Sequence, residues 1–181
     1  MQKKEINRKL LQKISFPESQ VLEWKPYVGE QIVKCFHDEQ WLKILPEIRT
    51  DGELKELFSF DLGMGYVLYE RETTEAKGFV YLHISDANDR KVFIHGGGWS
   101  DNTLFNYTAM VAMIDTLFNA KIKIRSSCLL GNNTAFRFLR SLGFVNYYTS
   151  LNHHYFWLPY KRYINNPIKQ RFSHNSHQTK K

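Results

Sequence analysis

Hydrophobic and polar residues follow patterns along the chain that predict both helices and strands. Between Glu30 and Trp41 the apolar residues recur at helical spacing, and Pro46 ends that pattern. A second, short helix is predicted through the segment DGELKELF, where Asp51 is placed to cap its start. Because a first strand is predicted before Tyr27, the chain is expected to open with a strand followed by two helices.

The middle of the chain predicts three strands, and the rest alternates between helices and strands. Two β-rich runs in GYVLYERETTEAKGFVYLHIS flank a polar turn, and KVFIHGGGW follows after DANDR, which predicts an antiparallel meander. Leu104 to Ala120 is apolar on most sides and predicts a helix that lies against the sheet. The segment IKIRSSCL predicts a buried strand, and Asn132 to Leu142 predicts an amphipathic helix. Two further aromatic strands are predicted between Phe144 and Tyr163. This order of elements predicts an α/β domain with a mixed sheet.

The size of the chain favours one domain. With 181 residues and 43% apolar content it can bury a single core, which we assign to residues 1–164. Residues 165–181 are basic and poor in apolar side chains, so they are predicted to be a disordered tail. No run approaches the roughly 18 apolar residues of a membrane span, and the start MQKKEINRKL lacks the apolar centre of a secretory signal. A cytoplasmic protein without a membrane partner is expected.

The formal charge of +7 comes from the two ends of the chain. Residues 1–13 carry a net charge of +4 and residues 161–181 carry +6, which leaves −3 for residues 14–160. Basic ends of this kind are usually solvated, and nucleic-acid contact through them is a minority alternative.

Cysteine, histidine and glycine positions give no metal or phosphate motif. Cys35 and Cys128 have no metal-binding or disulfide spacing, so two reduced thiols are predicted. His153 and His154 are adjacent on a predicted strand and face opposite sides, so no metal is expected there. The triplet 96–98 lacks the frames of phosphate-binding loops and favours a bulge or bend at the end of a strand.

The segment GNNTAFRFLRSLGFVNYY resembles the C-terminal motif of the GNAT acetyltransferase superfamily, at Asn132, Ala135, Gly143 and Phe144. Gly143 is expected to be a left-handed helix cap, and Phe144 to enter the core. The segment that begins at Trp99 resembles the coenzyme A loop of the ribosomal-protein N-terminal acetyltransferase branch, with no gap as far as Asn132. The resemblance implies a GNAT-like mixed, mostly antiparallel central sheet that is flanked by helices.

The resemblance also implies a function. It is the transfer of an acetyl or related acyl group from acetyl-CoA to a primary amine, such as a peptide N-terminus or a small amine. The enzyme would be a monomer or homodimer and would use no metal. Residues implied to contact coenzyme A are Phe93, Ile94, His95, Trp99, Ser100, Asp101, Asn102, Thr103, Leu104, Asn132 and Phe136.

Three positions depart from the family pattern. Ser100 and Asn102 stand where the family usually has glycines, which let a backbone approach phosphate closely. Leu139 stands where many members have a tyrosine that protonates the thiolate, although the ribosomal-protein branch commonly has leucine. The alternative function is therefore a catalytically degenerate GNAT-fold binding protein, associated with RNA or protein through its basic termini.

His95 is the candidate general base, because an imidazole titrates near neutral pH. A histidine that faces solvent or is satisfied in the core is the structural alternative. Tyr147 and Ser150 are candidate proton donors to the thiolate, with simple strand packing as the alternative. The aromatic residues Tyr155, Phe156, Trp157 and Tyr160 are interpreted as core and rim rather than as a base-stacking platform, because no Lys or Arg alternates with them before Lys161.

Overall fold

The structure, a computed structural model, describes residues 16, 22–27, 63–70, 75–86, 90–98 and 103–173. Within them, seven strands form one sheet in the order β1-β2-β3-β4-β5-β7-β6. The strands are β1 (Leu22–Tyr27), β2 (Gly63–Glu70), β3 (Ala76–Asp86), β4 (Lys91–Gly98), β5 (Lys123–Leu129), β6 (Val145–Thr149) and β7 (His153–Trp157).

The sheet is mixed and mostly antiparallel, as predicted. Strands β2 to β4 form the expected antiparallel meander, and β1 pairs antiparallel with β2. Strands β4 and β5 run parallel, whereas β7 pairs antiparallel with both β5 and β6. One parallel pair therefore lies between two antiparallel blocks.

The described helices are α1 (Thr103–Asn119), α2 (Asn133–Ser141), α3 (Tyr160–Ile164) and α4 (Pro167–Ser173). Helix α1 connects the two parallel strands and agrees with the predicted helix at 104–120. Its side chains Met113, Ile114 and Leu117 are fully buried in a core that also takes Leu82 from β3 and Ile124 from β5. Burial of such side chains contributes about 1.5–3 kcal/mol each to folding.

The C-terminal end of α2 confirms the capping role expected of Gly143, and its N-terminal end has a side-chain cap that the sequence analysis did not predict. Asn132 precedes the helix, and its Oδ1 accepts a hydrogen bond from the Ala135 N–H at 2.9 Å. Gly143 has a φ of +96°, and its N–H donates to the carbonyl of Arg140 at 3.0 Å. Phe144, immediately after this left-handed residue, is fully buried.

The prediction for the C-terminal part is wrong in two respects. The aromatic strands were expected to reach Tyr163, but β7 ends at Trp157 and α3 follows. The disordered tail was expected from residue 165, but 167–173 form α4, and residues 174–181 lie outside the described residues.

Helix α4 forms because it has a cap and an apolar anchor. The Oδ1 of Asn166 accepts the Ile168 N–H at 2.8 Å, and Pro167 occupies the first helical position, where no donor is needed. Phe172 is only 4% exposed and stacks on Tyr107 of α1, with ring centroids 5.4 Å apart. This contact joins α4 to the core.

Asp115 of α1 holds both C-terminal helices. Its two carboxylate oxygens each accept one hydrogen bond at 3.0 Å, from the Tyr163 hydroxyl and from Lys169 Nζ. Burial, together with the Asp115 charge and hydrogen bond, raises the pKa of Tyr163, so its hydroxyl stays protonated and donates.

The helices predicted at 30–41 and 51–58 lie outside the described residues. Among the helices that are described, none is both long and apolar enough to cross a membrane. The assignment of one domain to residues 1–164 stays a prediction.

Candidate functional site

The strands β4 and β5 separate along their length. They are paired from Lys91 opposite Lys123 to Ile94 opposite Ser126, which covers only the first half of each strand. Beyond Ile94, β4 keeps its pairing with β3 as far as Gly98, while β5 continues beside β7. A gap therefore opens inside the sheet at the carboxyl ends of the two parallel strands.

Ser126 closes the narrow end of this gap. It is 5% exposed, and its hydroxyl donates to the carbonyl of Ile94 at 2.9 Å across the last paired position. A buried hydroxyl needs a hydrogen-bond partner, and the Ile94 carbonyl supplies one where the two strands begin to separate. The sequence did not single out Ser126, because a serine in a strand carries no pattern of its own.

A cleft of about 980 Å³ occupies the gap. It is lined by Ile94 and Gly96 of β4 and by both Ser126 and Ser127 of β5. Adjacent residues of a strand project to opposite faces, so the lining of this cleft takes strand residues from both faces of the sheet.

Two helices border the cleft. Asn106 and Met110 of α1 line it, together with residues 131–135, which form the start of α2. Helix α1 begins five residues after β4 ends, which places its N-terminus at the same end of β4 as the cleft. Helix N-termini carry partial positive charge and favour anionic groups.

Gly96 is required by the close approach of β4 to β3. A Cβ at this position would lie 2.8 Å from the carbonyl oxygen of Phe79, which is too short for real contacts. The triplet 96–98 continues the β3–β4 ladder without a register shift, so the predicted bulge or bend at these glycines is wrong.

His95 lies at the point where β4 leaves β5, on the face opposite Ile94 and Gly96. Its ring stacks on Phe93 at 5.6 Å and is 6.4 Å from the ring of His83. Burial, followed by the charges that His83 and His153 can carry, lowers the pKa of His95 from 6.5 to about 4. The imidazole is therefore neutral at pH 7 and can accept a hydrogen bond.

Ile94 and Asn132 line the cleft among the predicted coenzyme A contacts. Phe93 lies beside His95 on the other face, and Phe136 packs edge-on against Phe156 at 5.4 Å, which favours a packing role. Thr103 and Leu104 form the first turn of α1, but their side chains are not described. The loop residues Trp99, Ser100, Asp101 and Asn102 lie outside the described residues.

The two predicted proton donors lie in other surroundings. Tyr147 is on the edge strand β6, 47% exposed, with the Arg125 guanidinium 5.5 Å from its ring, and it does not line the cleft. The Ser150 hydroxyl accepts the His153 N–H at 3.1 Å inside the β6–β7 turn. Ser127, which the sequence analysis did not single out, is a hydroxyl residue that lines the cleft.

The fold is that of GNAT acetyltransferases. A GCN5-related N-acetyltransferase from Brucella melitensis is similar to this chain with a TM-score of 0.65 and 12% identity, over 90% of this chain and 85% of that one. A GNAT-family acetyltransferase from Bacillus anthracis gives 0.60 and 13%, over 80% and 98%. The spermidine N-acetyltransferase from Vibrio cholerae, solved in complex with CoA and spermine, gives 0.61 and 14%, over 81% and 100%.

At these identities the likeness establishes the fold alone. No family model matches the sequence, and no curated protein matches it. Among the described residues, no group of three or more His, Cys, Asp or Glu side chains could hold a metal ion.

Proposed function

We propose that this chain is an acyl-CoA-dependent N-acyltransferase, which transfers an acetyl or related acyl group directly to a primary amine. The observation that supports this function is the cleft at the place where β4 and β5 separate, because its lining takes strand residues from both faces of the sheet. A donor on one face and an acceptor on the other could meet at the gap without a covalent enzyme intermediate.

The donor would lie on the face of α1 and α2. The amide-containing arm of coenzyme A can pair with the edge of β4 beyond Ile94 as an added strand does. An N–H of β4 at this edge could also donate to the thioester oxygen as negative charge develops on it. Gly96 would leave the backbone accessible at this place, because it has no side chain.

The acceptor would approach from the face of His95, which lies on β4 between two residues that line the cleft but does not itself line it. The amine nitrogen attacks the thioester carbon, a C–N bond forms, the C–S bond breaks, and the thiolate leaves with a proton. A pKa of about 4 makes His95 a weak base, so we assign it to accept a hydrogen bond from the amine and orient it. The proton on nitrogen then goes to water, and Ser127 is the candidate that passes a proton from water to the thiolate and so remains a neutral hydroxyl.

Substitutions at Gly131 give a sharp test. This glycine lines the cleft, and a Cβ there would meet nothing within 4 Å, so side chains can be added without a clash. Gly131→Trp should fill the cleft and abolish acetyl-CoA binding in calorimetry and thiol release with an amine panel. Gly131→Ala is the matched control and should keep both. The panel should include a peptide N-terminus, an amino sugar and a polyamine.

Three outcomes separate the functions. Binding and turnover that Gly131→Trp removes would support the enzyme. Binding without turnover on any amine would favour the degenerate binding protein, and no binding by the unsubstituted chain would contradict both coenzyme A roles.

A further inference from the structure

A second cavity lies at the opposite end of the parallel strands. It has a volume of about 680 Å³ and is lined by Lys91 and Lys123, the first residues of β4 and β5, whereas the first cleft lies at the carboxyl ends of these strands. The second cavity also takes Phe118 from the last turn of α1. It is therefore a separate site from the cleft between β4 and β5.

The lining of this cavity combines cations with aromatic rings. Among the lining residues that the structure describes, none is acidic, and the charged ones are Lys91, Lys121, Lys123 and Arg125. The aromatic ones are Phe118, Tyr147, Trp157 and Tyr160. Trp157, Tyr147 and Tyr160 are 46%, 47% and 57% exposed, so three large rings around one cavity remain open to solvent. Clusters of exposed apolar surface commonly mark interaction sites.

The rings and cations are held close to each other by the fold. Arg125 of β5 is directly opposite Trp157 of β7, and its guanidinium lies 5.5 Å from the ring of Tyr147. The ring of Tyr160 rests edge-on against Phe118 at 5.2 Å. Sheet order therefore brings Arg125 of β5 next to Tyr147 of β6 and Trp157 of β7, which are distant from it along the chain.

Lys121 is kept in an unfavourable backbone conformation at this site. It has a φ of +57° just after α1, a position that favours glycine, and the Ile122 N–H donates to the Leu117 carbonyl across it. A lysine here costs stability that a glycine would restore. Its charge also more than offsets the partial negative charge of the α1 C-terminus, which would otherwise repel anions.

We propose that this cavity, with its exposed rings, binds single-stranded nucleic acid. Bases would stack on Trp157 and Tyr160, and phosphates would lie against the four cations. The absence of acidic side chains in the described lining favours an anionic partner, and the aromatic faces favour one that carries bases over an acidic peptide.

Binding can be measured by fluorescence anisotropy with a labelled single-stranded RNA of about ten nucleotides, within the site size of single-strand binding folds, using the full chain. Trp157→Ala should weaken binding about tenfold, because one stacking surface is lost.

Lys121→Gly should weaken binding and reduce the slope of log affinity against log salt by about 0.7, while raising the denaturation midpoint. Arg140→Gly, an exposed position on α2 outside both cavities, is the control and should leave binding unchanged.

Two further arms can overturn the proposal. If Lys180→Gln with Lys181→Gln abolishes binding while Trp157→Ala leaves it unchanged, the C-terminal tail binds the RNA and the cavity does not. If polyglutamate displaces the RNA equally well before and after Trp157→Ala, the surface attracts any anion and stacking plays no part. The expected result is that unlabelled single strands displace the labelled RNA and polyglutamate does not, and that Trp157→Ala weakens RNA binding about tenfold.

Discussion

The low pKa of His95 predicts that acid lowers the free energy of unfolding and that protonation of His95 in the unfolded state causes part of this loss. Unfolded His95 has a pKa near 6.5 and folded His95 one of about 4, so between these values the unfolded state binds the proton and the folded state does not. The free energy of unfolding is therefore unaffected by protonation of His95 above about pH 6.5, and it decreases as the pH falls toward 4.

The expected loss in free energy of unfolding follows from the same two pKa values. At 1.36 kcal/mol for each pKa unit, the difference corresponds to about 3 kcal/mol at its limit, and because the ring is partly exposed we expect about 2 kcal/mol by about pH 4.5. Urea denaturation of the unsubstituted chain and of His95→Gln at about pH 7.5 and about pH 4.5 gives the two losses. The loss on acidification should be about 2 kcal/mol smaller in the variant. Equal losses would show that His95 titrates normally and would refute the buried, neutral imidazole.

Two other predictions concern the supports of the fold. Phe172→Ala should lower the free energy of unfolding by about 3–5 kcal/mol, because a buried ring is removed from the contact of α4 with α1, and urea denaturation measures it. Gly96→Ala should lower it by about 1–3 kcal/mol and weaken acetyl-CoA binding, because the new Cβ would clash with the backbone of β3.

Each of these has a matched control in the chain. Gln170→Ala, exposed on the same helix as Phe172, should change stability by less than about 0.5 kcal/mol. Gly131→Ala tests whether a cleft glycine without a close neighbour tolerates a Cβ, and it should be nearly neutral. If Phe172→Ala were as mild as its control, α4 would not be part of the core. A harmless Gly96→Ala would mean that β3 and β4 are not held at this spacing.

The parts of the fold with strong local signals could be predicted from the sequence. Helix α2 has an Asn132 cap, an amphipathic face and a Gly143 end, all of which act within a few residues of one another. The same is true of the meander β2 to β4, whose turns are marked by polar residues. Local chemistry therefore determines these elements.

The C-terminal helices were missed although a signal was present. Asn166 followed by Pro167 is a helix start, and Ile168 and Phe172 are spaced for one helix face. The basic residues around them made the segment look like a solvated tail. Its order depends on packing against Tyr107, which is distant in sequence.

The candidate site depends still more on contacts between distant residues. Ser126 acquires a role only because β4 and β5 separate at that position. Tyr147 was placed near the reaction because it follows Phe144, but β7 inserts between β5 and β6 and moves it to the edge of the sheet. Strand order of this kind is a tertiary property that no local pattern of residues reveals.

Binding of coenzyme A between β4 and β5 can be tested by amide chemical-shift mapping with acetyl-CoA. We expect saturable shifts at residues 94–98 of β4 and at 131–135 at the start of α2, with little change at Trp157 and Tyr160 in the second cavity. Saturable shifts confined to the second cavity, or none at millimolar acetyl-CoA, would contradict binding between β4 and β5.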